Sequence, residues 1–408
     1  MKIAILASGF LPVVDGVTVT LLHRLRRLSE LGHQVLLFCP SYKTLESIYP
    51  NWADYTGNFL PGIEVVSLAS TPFMGIEFER NVSSKSYTQV LQELDRFQPD
   101  IIHVDEPDRL FLGFDKVPAI AYAKSRQIPC ISFYHTNFLE YLDDFLPLPA
   151  PLQNLVRWLC KQFITKRVFN TYNATLTSSK TTYDKLLKIG IKNAVYEELL
   201  GVDLATFNPN LRQEQFFEQH YGITTGDRTT LIFLGRLTPD KGWKFTLKAI
   251  PELVQKLDSN RISLIIAGDG ELRSAIDQAL TGVVDFHLLG RVSPEQIPAL
   301  MANSDIHVTT SQKETKGLTL FEAFASGIPV MAPAAGGVLD SIQPGWNGLL
   351  YQPGNAADFV TQLQRLIEDK PLRQQMGRQA RDWVQPYDWH QAVDRLVQIW
   401  DSHLSTTA

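Results

Sequence analysis

The opening forty residues, MKIAILASGFLPVVDGVTVTLLHRLRRLSELGHQVLLFCP (1–40), decide the fold class. Lys2 to Ala7 is a short apolar run rich in β-formers, and after a Gly/Pro/Asp loop the stretch from Val17 to Leu31 has the apolar spacing of a helix that ends at Gly32. Val35 to Cys39 is predicted to be the next strand. This order predicts one βαβ unit with a right-handed crossover and a parallel sheet.

The same alternation continues along the rest of the chain. Further strand candidates in the first half are Ile63 to Leu68, Ile101 to Val104, Cys130 to Tyr134 and Ala174 to Thr177. After the polar segment from Gly201 to Pro209 a second series follows, at Thr230 to Gly235, Ile262 to Ala267, Phe286 to Leu289, Ile306 to Thr309 and Val330 to Ala332. The sequence therefore predicts an α/β protein with two doubly wound, Rossmann-like domains, 1–200 and 201–385, that face a cleft. The last segment, 386–408, is predicted to contain an amphipathic helix that packs on either domain.

Composition limits the classes of function. The 408 residues are 44% apolar and 20% charged, which is typical of a soluble globular chain. The formal net charge of -5 gives no overall attraction for nucleic acid. Cys39, Cys130 and Cys160 lack the paired spacing of zinc sites, which favours a reducing, cytoplasmic setting. The opening apolar run breaks too early for a signal peptide, and no segment approaches the roughly 18 apolar residues of a membrane span.

Two carboxylates lie eight positions apart in ETKGLTLFE, from Glu314 to Glu322. An uninterrupted helix would place both roughly on one side, but Gly317 favours a turn that runs into a helix start. The free amides at the positive end of such a helix bind a diphosphate without a metal ion. The alternative is an ordinary loop and helix with solvated acids, and this stretch alone supports both.

A pair of cations lies in LGRLTPDKG, residues 234–242, where Arg236 and Lys241 are five positions apart across a turn. Arginine offers a planar fork and lysine a point charge, and both suit a diphosphate. At other positions in a fold, two such cations usually lie on the surface and are solvated. Its place at the end of a predicted parallel strand favours a ligand site.

The first half has its own candidates at strand ends. His135 in FYHTNF lies just past the end of one predicted strand, where active-site groups collect, although a lone histidine is more often structural than catalytic. Asp105 and Glu106 in HVDEPD occupy a similar position one strand away, and we expect them to be acceptor-site groups. Gly16 lies near the first helix start, where a missing side chain lets a phosphate or a sugar approach the backbone. The alternative for that loop is a turn glycine with Asp15 as the helix cap.

The stretch from Pro151 to Asn170 has an apolar helical face and no acidic residue. Its charged residues are Arg157, Lys161, Lys166 and Arg167. A basic amphipathic helix in an acidic protein is typical of a surface that rests on anionic lipid. The alternative is a core helix with a basic outer face.

A metal centre is not expected. The segment Gly268-Asp269-Gly270 follows a strand and lacks the second carboxylate of a metal-binding pair, so we interpret it as a turn. The sequence also has no zinc-type or Asp-x-Asp pattern. We therefore predict neither a metal ion nor a cofactor.

Together these features resemble the retaining glycosyltransferases of the family-4 type, which have the GT-B fold of two Rossmann-like domains. The resemblance covers nearly the whole chain. Its most specific marks are the two glutamates with seven residues between them, Gly-Arg-x-x-x-x-Lys-Gly at 235–242, Gly-Val-Asp-x-x-x-Phe-x-Pro at 201–209 and Tyr-Asp-Trp at 387–389. It also implies that the final helix crosses back to the N-terminal domain.

The resemblance implies a donor site with residues from the second domain. Arg236 and Lys241 are expected to hold the donor diphosphate, and Glu322 the ribose. Glu314 is expected near the donor sugar, with the amides around Gly317, Leu318 and Thr319. The backbone near Arg291 and Val292 is expected to meet the nucleobase. Gly16 is expected to approach the diphosphate, and His135 completes the catalytic set of His135, Arg236, Lys241 and Glu314 through contact with the transferred sugar.

Within the family, YHTNFLEY (134–141) together with ETKGLT (314–319) is similar to the branch that glycosylates diacylglycerol lipids, including the sulfoquinovosyl and glucosyl diacylglycerol synthases. The basic helix from residue 151 agrees with that branch. The resemblance thus implies a UDP-linked sugar donor, a lipid acceptor and peripheral binding to an anionic membrane on its cytosolic face.

The implied reaction is sugar transfer with retention of anomeric configuration, in which a diphosphate oxygen takes the acceptor's proton. Other readings remain open at this point. The acceptor can be soluble or a polysaccharide, and epimerases and phosphorylases of the same shape also bind nucleotides or phosphate between two α/β domains. A non-catalytic sugar- or nucleotide-binding module is the third class.

Overall fold

The computed structural model describes residues 1–73, 76–135 and 149–405. Most of the YHTNFLEY motif, residues 136–141, therefore lies outside the described residues. The chain divides into two compact units, Met1–Leu200 together with Trp389–Ala408, and Gly201–Asp388.

Sixteen strands are numbered in chain order along the described chain: β1 (Lys2–Leu6), β2 (Gln34–Pro40), β3 (Gly57–Leu60), β4 (Ile63–Leu68), β5 (Ser70–Phe73), β6 (Ile76–Val82), β7 (Ile101–Asp105), β8 (Cys130–Phe133), β9 (Ala174–Thr177), β10 (Ala194–Tyr196), β11 (Thr229–Leu234), β12 (Ile262–Ala267), β13 (Phe286–Gly290), β14 (Ile306–Val308), β15 (Val330–Pro333) and β16 (Gly348–Tyr351).

The α-helices are numbered in the same way: α1 (Gly16–Glu30), α2 (Tyr87–Phe97), α3 (Pro107–Phe114), α4 (Ile120–Arg126), α5 (Ala150–Leu159), α6 (Lys166–Phe169), α7 (Lys180–Ile189), α8 (Phe216–Tyr221), α9 (Trp243–Lys256), α10 (Arg273–Leu280), α11 (Ile297–Ala302), α12 (Leu318–Ala325), α13 (Ala356–Glu368), α14 (Lys370–Val384) and α15 (Trp389–Ser405). A π-helical segment, Cys160–Thr165, joins α5 to α6.

The first unit is built on an eight-stranded sheet in the order β10-β9-β8-β7-β1-β2-β4-β3. Its strands are parallel apart from β3, which pairs antiparallel with β4. The predicted opening βαβ unit is confirmed, since β1 pairs in parallel with β2 and Ile3 lies opposite Val35. Ile3 packs in the core on one face of the sheet and Ala4 in the core on the other, which is why β1 is apolar throughout.

The second unit is built on a six-stranded, fully parallel sheet in the order β13-β12-β11-β14-β15-β16. The five strands predicted for this half are present. In a parallel sheet the carboxyl ends of the strands lie at the same edge, so the loops after β11, β12, β13 and β14 gather there. Those loops contain six of the predicted donor-site residues: Arg236, Lys241, Arg291, Val292, Glu314 and Gly317.

Several elements were not predicted. Strands β5 and β16 have four residues each, and the seven residues of β6, IEFERNV, include four charged or amide side chains, so none of the three has a sustained apolar run. Helix α14 is polar overall, but Met376, Ala380 and Val384 are buried at a spacing of four residues. That spacing is a helical signal that the sequence offered.

The last helix, α15, packs within the first unit, as the resemblance implied. Val393, Leu396 and Trp400 lie in the same core as β1, and Trp389 stacks on His23 with ring centroids 4.9 Å apart. In the described parts of the chain, no helix combines the length and the apolar character that crossing a membrane requires.

Candidate active site

The loop after β11 presents the two predicted cations. Lys241 ends a short 3-10 turn, and the Thr310 hydroxyl, after β14, donates to the Lys241 carbonyl oxygen at 2.9 Å. Gly242 has φ +80°, and a Cβ on it would lie 2.3 Å from the Thr310 carbonyl oxygen. The loops after two neighbouring strands are therefore locked together by a contact that admits only glycine.

Lys241 and Glu314 form an ion pair, with Nζ 2.7 Å from Oε1. Their side chains are 27% and 19% exposed. Burial alone would raise the pKa of Glu314, but Lys241, a hydrogen bond to Ser311 and the charge of Arg236 together hold it below the usual value. The first carboxylate of the predicted pair is thus ionised and beside the predicted cations.

Arg236 lies at the same edge and keeps an exposed head group. Its Nη2 is 3.5 Å from Oδ2 of Asp240, and its side chain is 45% exposed whereas that of Asp240 is 7% exposed. The side chain of Arg236 is therefore partly accessible to solvent. An accessible guanidinium beside an anchored lysine is an arrangement that suits two neighbouring phosphates.

Helix α12 starts at the position that the glycine turn predicted. Gly317 is the N-cap residue with φ +80°, and no side chain caps the helix. Among the described residues, the amides of Leu318 and Thr319 have no hydrogen-bond acceptor. The helix therefore presents free N–H groups at its positive end, next to Glu314 in sequence. The interpretation of Glu314 to Glu322 as one continuous helix is excluded.

Glu322 lies on α12, one turn beyond Leu318, and is half-buried. Burial raises its pKa to about 7. Within the described ranges its carboxyl group has no hydrogen-bonding or ionic partner. A carboxyl group of this kind is well suited to bind the uncharged hydroxyl groups of a ligand, because they restore the hydrogen bonds lost on burial.

His307 supports the start of α12, and the sequence analysis missed it. Its Nδ1 lies 3.2 Å from the Ile232 carbonyl oxygen and its Nε2 lies 3.2 Å from the Thr319 hydroxyl oxygen. Burial lowers the pKa of His307 to about 4, so the ring is neutral. Nδ1–H therefore donates to Ile232, and Nε2 accepts from Thr319. An i-to-i+12 pairing of this kind has no sequence signature.

A second missed support is the turn at Gly336 and Gly337. The Gly337 amide donates to the Glu314 carbonyl oxygen at 2.8 Å. A Cβ on Gly337 would lie 1.7 Å from the Thr315 carbonyl oxygen, which no side chain can do without moving the backbone. The turn therefore holds the loop that carries Glu314, and AAGG at 334–337 was the available signal.

Arg291 and Val292 follow β13 and lie in two different environments. The Arg291 side chain is 67% exposed, and its Nε is 4.0 Å from Oδ2 of Asp269. Val292 is partly buried against the core of the second unit. Gly268 and Gly270, on either side of Asp269, have φ +147° and +159°. The segment lies between β12 and α10, outside any helix or strand, and its interpretation as a turn stays a prediction.

In the first unit, the structure brings His135 and Asp105 together. Nε2 of His135 is 2.8 Å from Oδ1 of Asp105, which also contacts Arg24 and His103. Asp105 is fully buried, whereas the His135 side chain retains 6% exposure at the sheet edge. Phe133 stacks on the His135 ring with centroids 4.0 Å apart. The Asp105 carboxylate is therefore hydrogen-bonded to His135 and does not face solvent.

Glu106 directly follows β7, and Gly16 opens α1, the helix that follows β1 in the chain. The Ser8 hydroxyl donates to the Glu106 carboxylate, and Glu106 adopts φ +52°, which is uncommon for a residue with a side chain. Gly16 is exposed as the first residue of α1. Asp15 caps this helix and accepts from the amides of Val17 and Thr18, so the cap predicted as an alternative is present.

The apolar face of α5 lies at the surface. The exposed fractions are 44% for Leu152, 50% for Leu155, 54% for Trp158 and 39% for Leu159. Downstream, Lys166 is half-buried and Arg167 is exposed. The side chains of Arg157 and Lys161 lie outside the described residues. These exposures differ from those of a core helix with a basic outer face.

Two family models match the chain. The model described as Glycosyltransferase Family 4 matches residues 14–205, and the model described as Glycosyl transferases group 1 matches residues 216–383. Together they span most of both units. The chain belongs to the family-4, GT-B glycosyltransferases. As a member of this retaining family, it is an enzyme that uses a nucleotide-sugar donor.

Several known proteins are similar to this family-4 glycosyltransferase. Sulfoquinovosyl transferase SQD2 of Arabidopsis thaliana is 28% identical over 91% of this chain and 68% of that protein. A GDP-mannose-dependent alpha-mannosyltransferase of Corynebacterium glutamicum is 28% identical over 98% of this chain and 88% of that protein. Alpha-monoglucosyldiacylglycerol synthase of Streptococcus pneumoniae is 25% identical over 81% of this chain and 71% of that protein.

Solved structures agree on the fold of the family-4 glycosyltransferase. Sucrose-phosphate synthase from Thermosynechococcus elongatus matches with a TM-score of 0.76 at 16% identity, over 99% of both chains. At this identity the likeness shows the GT-B fold alone. The predicted fold class, two parallel α/β sheets with a C-terminal helix, is confirmed.

Proposed function

We propose that this glycosyltransferase moves a sugar from a UDP-linked donor to a hydroxyl group of a diacylglycerol-type lipid while it rests peripherally on the cytosolic face of an anionic membrane. The observation that carries the lipid acceptor is the exposed apolar face of α5. The name of the Streptococcus pneumoniae relative supports the same acceptor class, because it specifies a diacylglycerol product.

The exposed face of α5 suits a lipid surface. Full burial of a leucine side chain contributes about 1.5–3 kcal/mol, so four half-exposed apolar side chains supply several kcal/mol on insertion. Lys166 and Arg167 add about 1 kcal/mol each near anionic headgroups. No acidic residue occurs between Asp144 and Asp184 to oppose that attraction. Together, the apolar and electrostatic contributions are large enough to support reversible binding to an anionic membrane.

On the donor side, we assign the diphosphate to Arg236, Lys241 and the free amides of Leu318 and Thr319. The ion pair of Lys241 with Glu314 supports this assignment, because it holds Nζ at a defined point. The positive end of α12 adds a partial charge without a metal ion. Gly317, whose φ of +80° opens the turn, lets the ligand approach the backbone.

Glu322 is assigned to the ribose hydroxyls, because its half-buried carboxyl group has no described partner and a raised pKa. Glu314 is assigned to the donor sugar, and the backbone at Arg291 and Val292 to the nucleobase. Gly16 remains a proposed approach point for the diphosphate.

The proposed chemistry retains the anomeric configuration. The bond from the anomeric carbon to the diphosphate oxygen breaks, and the acceptor oxygen bonds to that carbon from the same face. The acceptor's proton goes to an oxygen of the departing diphosphate, so UDP is released and no further base is needed. Arg236, Lys241 and the helix amides stabilise the charge that develops, and one such group contributes about 3 kcal/mol.

His135 is proposed to accept a hydrogen bond from a hydroxyl of the transferred sugar. Asp105 supports this role, because its carboxylate holds Nε2 of His135 at 2.8 Å and leaves Nδ1 for the ligand. Glu106, tied to Ser8, is proposed as the acceptor-side group at the same strand ends.

The decisive experiment incubates the protein with a panel of UDP-sugars and GDP-mannose, each with vesicles of phosphatidylglycerol and diacylglycerol or with soluble sugar acceptors. Mass spectrometry of the products identifies donor and acceptor. We expect glycosyl diacylglycerol from a UDP-sugar. Product from GDP-mannose alone would refute the UDP assignment, and transfer only to soluble acceptors would refute the lipid assignment. Free nucleotide or sugar phosphate without transfer would indicate an epimerase or phosphorylase.

A paired variant tests the membrane surface separately. Replacing Leu155 and Trp158 by serine should weaken the affinity for vesicles, measured by co-sedimentation, by at least about tenfold, since more than 1.4 kcal/mol of the free energy of membrane insertion is lost. Leu187→Ser is the matched control, because Leu187 is 44% exposed on α7 instead. If the Leu155/Trp158 double variant and the Leu187→Ser control bind vesicles equally well, α5 does not contact the membrane.

A further inference from the structure

A buried polar chain runs through the first unit from the last helix to His135. The indole Nε1 of Trp400 is 3.3 Å from Nδ1 of His103. Nε2 of His103 lies 3.1 Å from Oδ1 of Asp105, and Nε2 of His135 lies 2.8 Å from the same oxygen. Trp400, His103 and Asp105 are fully buried. Residues from α15, β7 and the end of β8 thus share one network.

The chemistry of Trp400 decides where the proton of His103 lies. An indole N–H donates only, so Nδ1 of His103 must accept from it. Burial lowers the pKa of His103 to about 4, and the neutral ring carries a single proton. That proton therefore lies on Nε2, where it is donated to Asp105.

Asp105 passes this constraint to His135. Arg24 donates from Nη1 to both carboxylate oxygens, at 3.2 and 3.0 Å. Burial opposes ionisation of Asp105, but Arg24 and the two histidines hold its pKa well below the usual value. An ionised carboxylate accepts only, so Nε2 of His135 carries a proton, and in the neutral form of the ring Nδ1 is then the accepting atom.

An alternative arrangement of the same groups is close at hand. Nη1 of Arg24 also lies 3.1 Å from Nε2 of His103. Without the indole N–H, His103 can carry its proton on Nδ1 and accept from Arg24 at Nε2. Asp105 would then lose one donor and share Arg24 with His103, which loosens the group that orients His135.

We propose that Trp400 is a positioning residue for sugar transfer: its indole N–H selects the Nε2–H tautomer of His103, and through Asp105 this fixes the ring of His135 with Nδ1 toward the sugar. The last helix therefore has a role in catalysis besides packing. This inference rests on the proposed role of His135.

The first test is spectroscopic and reads the tautomer of the wild-type protein. In protein labelled with ¹⁵N-histidine, long-range ¹H–¹⁵N spectra report the protonated nitrogen of each ring, and His103→Gln assigns the His103 signals by their loss. We expect His103 to be protonated on Nε2. A proton on Nδ1 in the wild-type protein would overturn the proposal.

The second test is kinetic. Trp400→Phe keeps an aromatic ring and removes the N–H, so kcat should fall about tenfold with the donor KM unchanged. Trp389→Phe is the matched control, because Trp389 is buried on the same helix but stacks on His23 and does not join the network. In the double variant W400F/H103Q, the glutamine amide donates to Asp105 without help from Trp400, and much of the lost kcat should return.

The outcomes separate the two proposals. Wild-type kcat in Trp400→Phe, together with a large loss in His135→Ala, would refute the positioning role and leave the role of His135 intact. Unchanged kcat in His135→Ala would refute the role of His135 itself. Equal losses in Trp400→Phe and Trp389→Phe would assign the effect to packing of α15 and overturn the proposal.

Discussion

Replacing Lys241 with alanine should abolish most turnover and cost little stability. The charges of Lys241 and Glu314 are 2.7 Å apart, and at an effective dielectric constant of 20 their gross attraction is about 6 kcal/mol. Desolvation and side-chain ordering offset most of it, because a quarter of the Lys241 side chain still meets water. The net contribution to the free energy of unfolding is about 1 kcal/mol.

The expected loss in catalysis is larger. A cation aimed at a leaving diphosphate contributes about 3 kcal/mol to transition-state stabilisation, which corresponds to a roughly 10²-fold fall in kcat. The assay is steady-state transfer from the nucleotide sugar, with urea unfolding of the same preparations.

Arg228→Ala is the matched control for Lys241→Ala. Arg228 pairs with Asp285 at 2.8 Å with both side chains 32% exposed, and it precedes β11, at the opposite edge of the sheet from Lys241. The control should lose similar stability and keep its kcat. If the two variants lose kcat equally, or if Lys241→Ala loses activity only in proportion to unfolding, the assignment of Lys241 to the diphosphate is refuted.

Three further predictions concern the same site. Glu322→Gln should raise the donor KM about tenfold and leave kcat nearly unchanged, whereas Glu314→Gln should raise the donor KM and also lower kcat. If steady-state kinetics show that kcat falls in Glu322→Gln and not in Glu314→Gln, the two assignments must be exchanged. In Gly337→Ala the new Cβ would lie 1.7 Å from the Thr315 carbonyl oxygen, so the backbone next to Glu314 must move by about 1.5 Å, and kcat/KM should fall about 10²-fold. Gly345→Ala is the control: Gly345 has φ +83° and open space around it, so this variant should lose stability and keep its kcat/KM. Burial raises the pKa of Glu322 to about 7 from an ordinary 4.5, so the folded protein retains a proton that the unfolded chain releases. The free energy of unfolding of the wild type should therefore fall relative to Glu322→Gln by about 1–3 kcal/mol as pH rises from 4.5 to 7, and parallel urea-melt profiles would contradict this.

The cations and the helix start of the donor site were predictable because each has a local signature. Arg236 and Lys241 follow a strand in one short segment, and Gly317 separates the two glutamates. Their supports were not predictable in the same way. His307 is twelve positions from Thr319 and Thr310 is sixty-nine from Lys241, so these contacts exist only once parallel strands bring their ends together.

The first unit shows the same division. His135 and Asp105 were both selected as strand-end residues, but their pairing, and the link through His103 to Trp400 almost 300 positions away, depends on β7, β8 and α15 meeting in one core. The sequence likewise could not predict whether the apolar face of α5 is exposed, because helical periodicity identifies an apolar face but does not show whether another element covers it.

The two parallel α/β sheets, the residues at their strand ends and the family could be predicted from the amino-acid sequence, because apolar periodicity, glycine turns and short motifs are local properties of the chain. The tertiary structure decided which of those residues are held in place and by what. It paired Lys241 with Glu314, left the start of α12 uncapped and buried Asp105 between Arg24 and two histidines. The reason is that ionisation, tautomer and exposure depend on neighbours distant in sequence, which folding alone brings into contact.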